Sequence, residues 1–177
     1  RSLLSTGNED SEIYKINQSG DGILSEETAY LVERSLNLYE ATDGAFDIAI
    51  YPVMKAWGFT DDNFRVPDAD ELKDLLTLTD ASDISYDKDT SQIAFKKDGM
   101  QIDFGGIAKG YTSARIMDIF RACGIKSGLV NLGGNVQALG TKKDGSSWRV
   151  AVQDPQDTDQ YLGVLSIQDK AVITSGG

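Results

Sequence analysis

The stretch IDFGGIAKGYTSARIMDIF, Ile102 to Phe120, predicts a strand that turns directly into a helix. Its first residues continue an apolar segment that starts at Met100, and a glycine pair, Gly105 and Gly106, follows that segment. Beyond the glycines, apolar side chains recur at helical spacing. We therefore expect a strand–turn–helix unit in this part of the chain.

Asp103 and Lys109 lie on either side of the glycine pair, and together these groups suit a nucleotide. Glycines let the backbone approach a ligand closely or adopt a positive φ, and a helix N-terminus presents free amides to a phosphate. Lys109 adds a cation for phosphate, and Asp103 can accept hydrogen bonds from ribose hydroxyls or a base amine. The alternative is a turn that needs glycine sterically, with Asp103 as a solvated cap. The stretch is neither a Walker loop nor a GxGxxG fingerprint, so by itself it favours neither interpretation.

The composition is that of a globular domain with an acidic surface. The chain has 177 residues, of which 40% are hydrophobic, and this predicts one domain over residues 1–177. The net charge of −11 argues against nucleic acid or an anionic membrane as a general partner. The absence of histidine excludes a Ser-His-Asp triad, a histidine-based zinc site and a histidine general base within this chain.

Helices and strands follow each other without a regular alternation. One helix is expected in ILSEETAYLVERSLNLYEATDG, with Ser25 as its N-cap, Gly44 beyond its end, and one face that carries Ala29, Val32, Leu36 and Tyr39. A second is expected in PDADELKDLLTL, where Asp68 and Glu71 suggest a capping box and Leu72, Leu75 and Leu76 face inward. A hairpin around DKDT precedes a further strand over Met100–Phe104, and SGLVNLGGNVQALG, WRVAVQD, YLGVLSIQ and AVITS each carry a strand pattern. The order predicts an α+β fold with a mixed, largely antiparallel sheet and packed helices.

Two more motifs are candidates for a site. In DGAFDIAIYPVMKAWGF, Asp47 lies between Phe46 and Ile48, and a carboxylate in that setting must find donors or lose about a few kcal/mol. Those donors are either backbone amides or a ligand. In NLGGN, Asn131 to Asn135, a second glycine pair predicts a bulge or tight bend when taken alone, or, with the first pair, a shared cleft.

Six stretches of this chain together resemble the ApbE family, the FAD:protein FMN transferases formerly called thiamine-biosynthesis lipoproteins. They are LLSTGNEDSEIYKIN, TDGAFDIAIYPVMKAWGF, IDFGGIAKGYTSARIMDIF, GLVNLGGNVQALG, WRVAVQDP and AVITSGG. They occur in the family's order with suitable spacing and span nearly the whole chain. The pattern D-[LF]-G-[GA]-I-A-K-G-Y with N-[LI]-G-G downstream is specific to the family.

The resemblance implies a T-fold type α+β domain that uses Mg²⁺ to split FAD, moves FMN onto a threonine of a recipient protein and releases AMP. The residues that it places at the FAD site are Ala45, Phe46, Asp47, Asp103 and Lys109. It also implies that Gly106 offers a backbone carbonyl to the metal, and it assigns no catalytic side chain in this chain. Many members are lipoproteins on the outer face of the bacterial cytoplasmic membrane, so we expect that location, with membrane contact only through a lipid anchor upstream.

The chain departs from the family pattern in three places. An early strand with a Met-Gly-Thr-like motif is absent, as is a C-terminal part with a histidine and the Asp and Thr metal ligands, and Gly7 stands where the family has an aromatic residue. We therefore expect a domain truncated at both ends and inactive by itself. Two alternatives stay open: a non-catalytic FAD-binding module of ApbE-like fold, and an unrelated α+β domain with glycine turns.

Overall fold

The chain folds into helices and antiparallel sheets, which confirms the α+β class. The computed structural model describes residues 3–61 and 63–174. The chain divides into two compact units, residues 1–108 and 109–177, and the prediction of one domain stays a prediction. Every strand pairing within the described residues is antiparallel. None of the helices in this part of the chain is both long and apolar enough to span a membrane.

As far as it is described, the first unit contains four complete helices and a small three-stranded sheet. Its helices and strands are α1 (Glu12–Ser19), α2 (Glu26–Ala41), α3 (Tyr51–Ala56), α4 (Ala69–Leu76), β1 (Asp21–Ile23), β2 (Ile84–Asp87) and β3 (Gln92–Phe95). Strand β3 lies between β1 and β2, and two short 3-10 helices cover Ile48–Ile50 and Ala81–Asp83. The fully buried side chains of its core include Ile13, Leu31, Ile48, Ile93, Ile102 and Phe104.

Helix α2 begins after Ser25, as predicted, but the cap comes from another helix. The Ser25 side chain makes no capping hydrogen bond within α2. Instead, the Glu12 carboxylate of α1 accepts from the Ser25 amide at 2.6 Å, the Ser25 hydroxyl at 2.7 Å and the Thr28 hydroxyl at 3.1 Å. An acid at the positive end of the helix dipole is favourable, so Glu12 both caps α2 and ties it to α1.

Helix α4 shows only half of the predicted capping box. The Asp68 carboxylate accepts from the Glu71 amide at 2.8 Å, but the Glu71 side chain accepts from Arg65 at 2.7 Å instead of returning to the cap. Leu76, predicted to face inward, is 58% exposed, because α4 lies on the surface with none of its residues fully buried. That prediction is wrong for Leu76.

The predicted strand over Met100–Phe104 is not a strand. The segment is buried at Met100, Ile102 and Phe104, but no strand pairs with it among the described residues. Its backbone is held in part by the Asn17 side chain, and the Asp103 amide donates to the Ile48 carbonyl at 2.8 Å. Every second side chain of this segment is buried because one side of it faces the core and the other does not, although no strand pairs with it in the described part of the chain.

Helix α5 (Gly105–Ala122) begins in the first unit and continues in the second. The strands of the second unit are β4 (Gly128–Leu132), β5 (Asn135–Leu139), β6 (Trp148–Gln153), β7 (Tyr161–Ile167) and β8 (Ala171–Ile173). They form a sheet of order β4-β5-β8 and a two-stranded β6-β7 ribbon. The stretch SGLVNLGGNVQALG is a hairpin whose turn has positive φ at Gly133 (57°) and Gly134 (87°), as a type I′ turn requires. The predicted tight bend is confirmed.

Candidate functional site

Asp47 is held by two backbone amides from different parts of the first unit. Its Oδ1 accepts from the Ala49 amide at 2.7 Å, which starts a short 3-10 helix, and its Oδ2 accepts from the Ala81 amide at 3.2 Å. Burial raises the pKa of Asp47, the two amides oppose that rise, and the nearby Asp80 carboxylate adds to it. Of the two donors considered from the sequence, backbone amides are therefore the ones that the fold supplies.

Asp103 belongs to a backbone segment that is hydrogen-bonded to the segment carrying Asp47. Its amide donates to the carbonyl of Ile48, the residue after Asp47, at 2.8 Å. Its Oδ1 accepts from the Gly105 amide at 2.6 Å, so the side chain caps the start of α5. The carboxylate is half-buried, and that burial raises the pKa of Asp103. Two acids that are 56 residues apart in sequence thus come from adjoining backbone segments.

Gly105 and Gly106 leave room for the side chains beside them, and neither has a positive φ. A Cβ at Gly105 would lie 2.7 Å from Asp103 Oδ1, and a Cβ at Gly106 would lie 3.0 Å from Cε2 of Phe46. The first contact is closer than real Cβ atoms show and the second is tight, so a side chain at either position would push the Asp103 carboxylate or the Phe46 ring aside. The positive-φ prediction is wrong, and the choice between a ligand site and a steric turn stays open.

Most of the backbone amides in the first turn of α5 have a hydrogen-bond acceptor. The Gly105 amide donates to Asp103, and the amides of Ile107 and Ala108 donate to the Phe104 carbonyl at 3.0 and 2.8 Å. Within residues 3–61 and 63–174, the Gly106 amide has no acceptor. One backbone donor therefore stays available to a ligand at the helix start, beside Phe46.

Ala45 and Phe46 lie on the turn that follows α2. The Phe46 amide donates to the Thr42 hydroxyl at 3.0 Å, and Gly44, with φ of 79°, reverses the chain just before Ala45. Ala45 is exposed and Phe46 is half-buried. The first unit therefore gathers four predicted site residues, Phe46, Asp47, Asp103 and Gly106, with Ala45 at their edge.

Lys109 is exposed and belongs to the second unit. Its Nζ lies 3.7 Å from the position that a Cβ at Gly133 would occupy. The hairpin turn there is fixed on one side by Asn131, whose Oδ1 accepts from the Gly134 amide at 3.1 Å, and on the other by Thr174, whose amide donates to the Gly134 carbonyl at 3.2 Å. A cation therefore lies beside a glycine turn. The cleft predicted to be shared by the two glycine pairs stays a prediction. Ser175 to Gly177 lie outside the described residues.

The described residues do not complete a metal site. They contain no group of three or more His, Cys, Asp or Glu side chains arranged to hold an ion. Gly106, predicted to offer a carbonyl, lies in the first turn of α5. Mg²⁺ demands near-octahedral coordination, and one neutral oxygen does not supply it. The assignments of Gly106 to metal, and of the five predicted contacts to FAD, stay predictions.

Two further polar residues at this site were missed from the sequence. Tyr39 was assigned to the apolar face of α2 by its spacing, yet its hydroxyl donates to Asp80 at 2.8 Å. Asp80 itself lies in a polar stretch that gives no sign of a partner. Neither residue carries a local pattern, because the contact joins the end of α2 to a loop 41 residues away.

Comparison with known proteins finds likeness over almost all of the chain. A model of the ApbE family matches residues 1–177. The FAD:protein FMN transferase of Treponema pallidum (strain Nichols) is 34% identical to it, over 98% of this chain and 53% of its own length. The FAD:protein FMN transferase of Klebsiella pneumoniae (strain 342) is 31% identical, over 98% of this chain and 54% of its own length. The crystal structure of the ApbE protein from Thermotoga maritima matches with a TM-score of 0.89 at 31% identity, over 96% of this chain and 56% of that one. The chain thus spans about half the length of these relatives.

Proposed function

The chain belongs to the ApbE family, and from this premise we propose that it is part of a flavin transferase that moves FMN from FAD onto a recipient protein. The names of its relatives give FAD as donor and a protein as acceptor. The observation that supports the proposal most is the convergence of Phe46 and Asp103 on the first turn of α5, with Asp47 on the backbone segment that the Asp103 amide bonds. These residues come from the segments that carry the family pattern.

In this proposal the family resemblance places Asp47 in contact with FAD, and the other groups have distinct parts in holding it. The second carboxylate oxygen of Asp103 accepts from the ribityl or ribose hydroxyls or from a base amine, while Oδ1 stays on the Gly105 amide. The Gly106 amide donates to an oxygen of the ligand, and the half-buried Phe46 ring offers an apolar surface for a flavin or adenine ring. By the family resemblance, Lys109 supplies a cation for a phosphate.

The proposed acceptor is a threonine of the recipient, and the proposed leaving group is AMP. The threonine oxygen bonds to the phosphorus of the FMN half, the pyrophosphate P–O bond breaks with its electrons staying on AMP, and the hydroxyl proton is released. Mg²⁺ would neutralise charge on the phosphates. Gly106 is the candidate carbonyl for that ion, and the remaining ligands would be phosphate oxygens and protein groups outside the described residues.

A second candidate function is a binding module that holds FAD without transfer. The observation that favours it is the lack, in the described residues, of a cluster of three or more His, Cys, Asp or Glu side chains that could hold the metal. Both candidates require FAD binding, and they differ in whether a covalent flavin product forms.

The deciding experiment incubates the full-length protein with FAD, Mg²⁺ and a recipient protein. We expect covalent flavin fluorescence in the recipient band of a denaturing gel and an equal amount of AMP by chromatography. A chelator, or replacement of the acceptor threonine by valine, should abolish both signals. FAD binding without label or AMP would support the binding module, and no FAD binding would overturn both.

We also propose that the protein works in the bacterial cell envelope, on the outer face of the cytoplasmic membrane, held by a lipid anchor ahead of these residues. The family resemblance supports this location. Fractionation of cells, followed by protease treatment of intact spheroplasts, tests it, and a protein recovered entirely in the cytosolic fraction would contradict it.

A further inference from the structure

Tyr39 and Asp80 form a bridge to Asp47 from outside the proposed FAD contacts. The Tyr39 hydroxyl, on α2, donates to Asp80 Oδ1 at 2.8 Å. The residue after Asp80 is Ala81, whose amide donates to Asp47 Oδ2 at 3.2 Å. A path of two hydrogen bonds therefore joins the end of α2 to the carboxylate of Asp47.

Tyr39 also contacts the start of the same site segment. The Gly44 amide donates to the Tyr39 carbonyl at 2.9 Å, and a Cβ at Gly44 would lie 3.5 Å from Cε2 of the Tyr39 ring. Gly44 precedes the segment that ends at Asp47. The contacts therefore close into a ring that runs from Tyr39 through Asp80, Ala81 and Asp47 back to Gly44, and this contact ring holds both ends of the segment.

The loop that carries Asp80 is fixed independently of the segment. The Lys96 ammonium donates to the Ser82 carbonyl at 2.7 Å, and Lys97 pairs with Asp83 at 2.6 Å. Asp80 Oδ1 also accepts from the Ser82 amide at 2.9 Å. Hydrogen bonds from Ser82 and Tyr39 lower the pKa of Asp80, so its carboxylate stays charged and the Tyr39 hydrogen bond is charge-assisted.

From this contact ring we infer that Tyr39 and Asp80 are positioning residues that hold Asp47 in its FAD-binding orientation. The inference rests on the proposed function, because Asp47 is the group through which they act. A purely structural role would act on the fold as a whole. A positioning role acts on ligand affinity, since displacement of Ala81 moves one of the two amides that orient the Asp47 carboxylate.

Tyr39→Phe in the full-length protein tests this with the least disturbance. It keeps the aromatic ring against Gly44 and removes only the hydroxyl. We expect the Kd for FAD to rise about fivefold, because the Ala81 amide is no longer held against Asp47. The melting temperature of the FAD-free protein should fall by no more than about 4 °C, as the loss of one net hydrogen bond implies. Tyr86→Phe is the matched control, since it removes a hydroxyl of the same unit and, among the described residues, no hydrogen bond joins that hydroxyl to the contact ring.

A double-mutant cycle then separates positioning from folding. Asp80→Asn keeps an acceptor for Tyr39 and should bind FAD nearly as well as wild type, whereas Asp80→Ala should bind FAD at least as weakly as Tyr39→Phe, because it also removes the acceptor of the Ser82 amide. The double variant Tyr39→Phe/Asp80→Ala should be no weaker than Asp80→Ala, because the Tyr39 hydroxyl acts through Asp80. Wild-type affinity in Tyr39→Phe, or effects that simply add, would overturn the inference. A wild-type protein that binds no FAD would instead overturn the proposed function, and the inference with it.

Discussion

Asn17 pairs with Ile102 as a neighbouring strand would. Its Nδ2 donates to the Ile102 carbonyl at 2.9 Å, and its Oδ1 accepts from the Ile102 amide at 2.7 Å. One buried side chain thus satisfies both polar backbone groups of a buried residue. Because Asp103 follows directly, Asn17 also fixes the backbone from which that carboxylate projects.

Asn17→Leu is expected to destabilise the protein strongly. It would leave the Ile102 amide and carbonyl buried without partners, at a cost of about 1–3 kcal/mol for each group. The free energy of unfolding, measured by urea denaturation, should fall by at least about 2 kcal/mol. Gln18→Leu, at the next and exposed position of α1, is the matched control and should change it by less than about 0.5 kcal/mol. Equal stability of the two variants would show that the Asn17 bonds contribute nothing.

For the segment around Ile102, burial could be predicted from the sequence, but the partner of its backbone could not. Alternating apolar residues correctly predicted that Met100, Ile102 and Phe104 are buried, but alternation reports two unlike sides and does not report what pairs with the backbone. The partner is an asparagine 85 residues away, and only folding brings it there. Local signals such as the Gly133–Gly134 turn were predictable for the opposite reason, since a type I′ turn is determined by its own residues.

The candidate site divides in the same way. Residue types within one stretch indicated Asp103 and the need for glycine beside it, because cap and glycines are neighbours in sequence. Tyr39 and Asp80 could not be found, since their contact depends on how α2 meets a distant loop. The sequence also could not reveal that it is Phe46 that would meet a side chain at Gly106.

Gly106→Val should weaken FAD binding by displacing Phe46. A β-carbon there would lie 3.0 Å from the Phe46 ring, whereas a β-carbon at Gly110 of the same helix meets nothing within 4 Å. Gly110→Val is therefore the matched control, because both variants change helix propensity alike. We expect calorimetric titration to give an at least about tenfold larger Kd for Gly106→Val than for Gly110→Val, from about 1–3 kcal/mol of overpacking. Equal Kd values would mean that Phe46 and Gly106 lie outside the FAD site.

Lys109→Gln should weaken FAD binding without harming the fold. The lysine is exposed near the positive end of the α5 dipole, so its removal should stabilise the FAD-free protein by a few tenths of a kcal/mol at most. Loss of a charged hydrogen bond to phosphate should raise the Kd about tenfold and make it less sensitive to salt. Lys143→Gln, also exposed in the second unit, should leave both quantities unchanged. A wild-type Kd for Lys109→Gln would assign the lysine to the surface alone.

Residues 1–177 alone are expected to release no AMP from FAD in the presence of Mg²⁺. Their described part offers no cluster of acidic ligands for the ion, and Mg²⁺ is normally retained by one or two carboxylates together with substrate phosphates. Chromatography of the reaction mixture, with the full-length protein as positive control, makes the comparison. AMP release above that of a Gly106→Val version would show that the described residues build a working site.

Asp103→Asn should change how stability depends on pH. Burial raises the pKa of Asp103 above its ordinary value of 3.8, so between those two values the folded protein holds a proton that the unfolded chain has released. The free energy of unfolding of the wild type therefore falls as pH rises through this window, and the loss persists above it.

Asparagine cannot ionise, yet its Oδ1 can still accept from the Gly105 amide. We expect Asp103→Asn to gain stability relative to wild type between pH 4 and pH 7, measured by urea denaturation without FAD. Asp47, whose pKa is also raised, and Asp80, whose pKa is lowered, titrate in both proteins and cancel in the difference. The same substitution should raise the Kd for FAD at pH 7, because the carboxylate is the stronger acceptor. A stability difference that is constant across this pH range would show that the Asp103 carboxylate is not the group whose burial opposes folding.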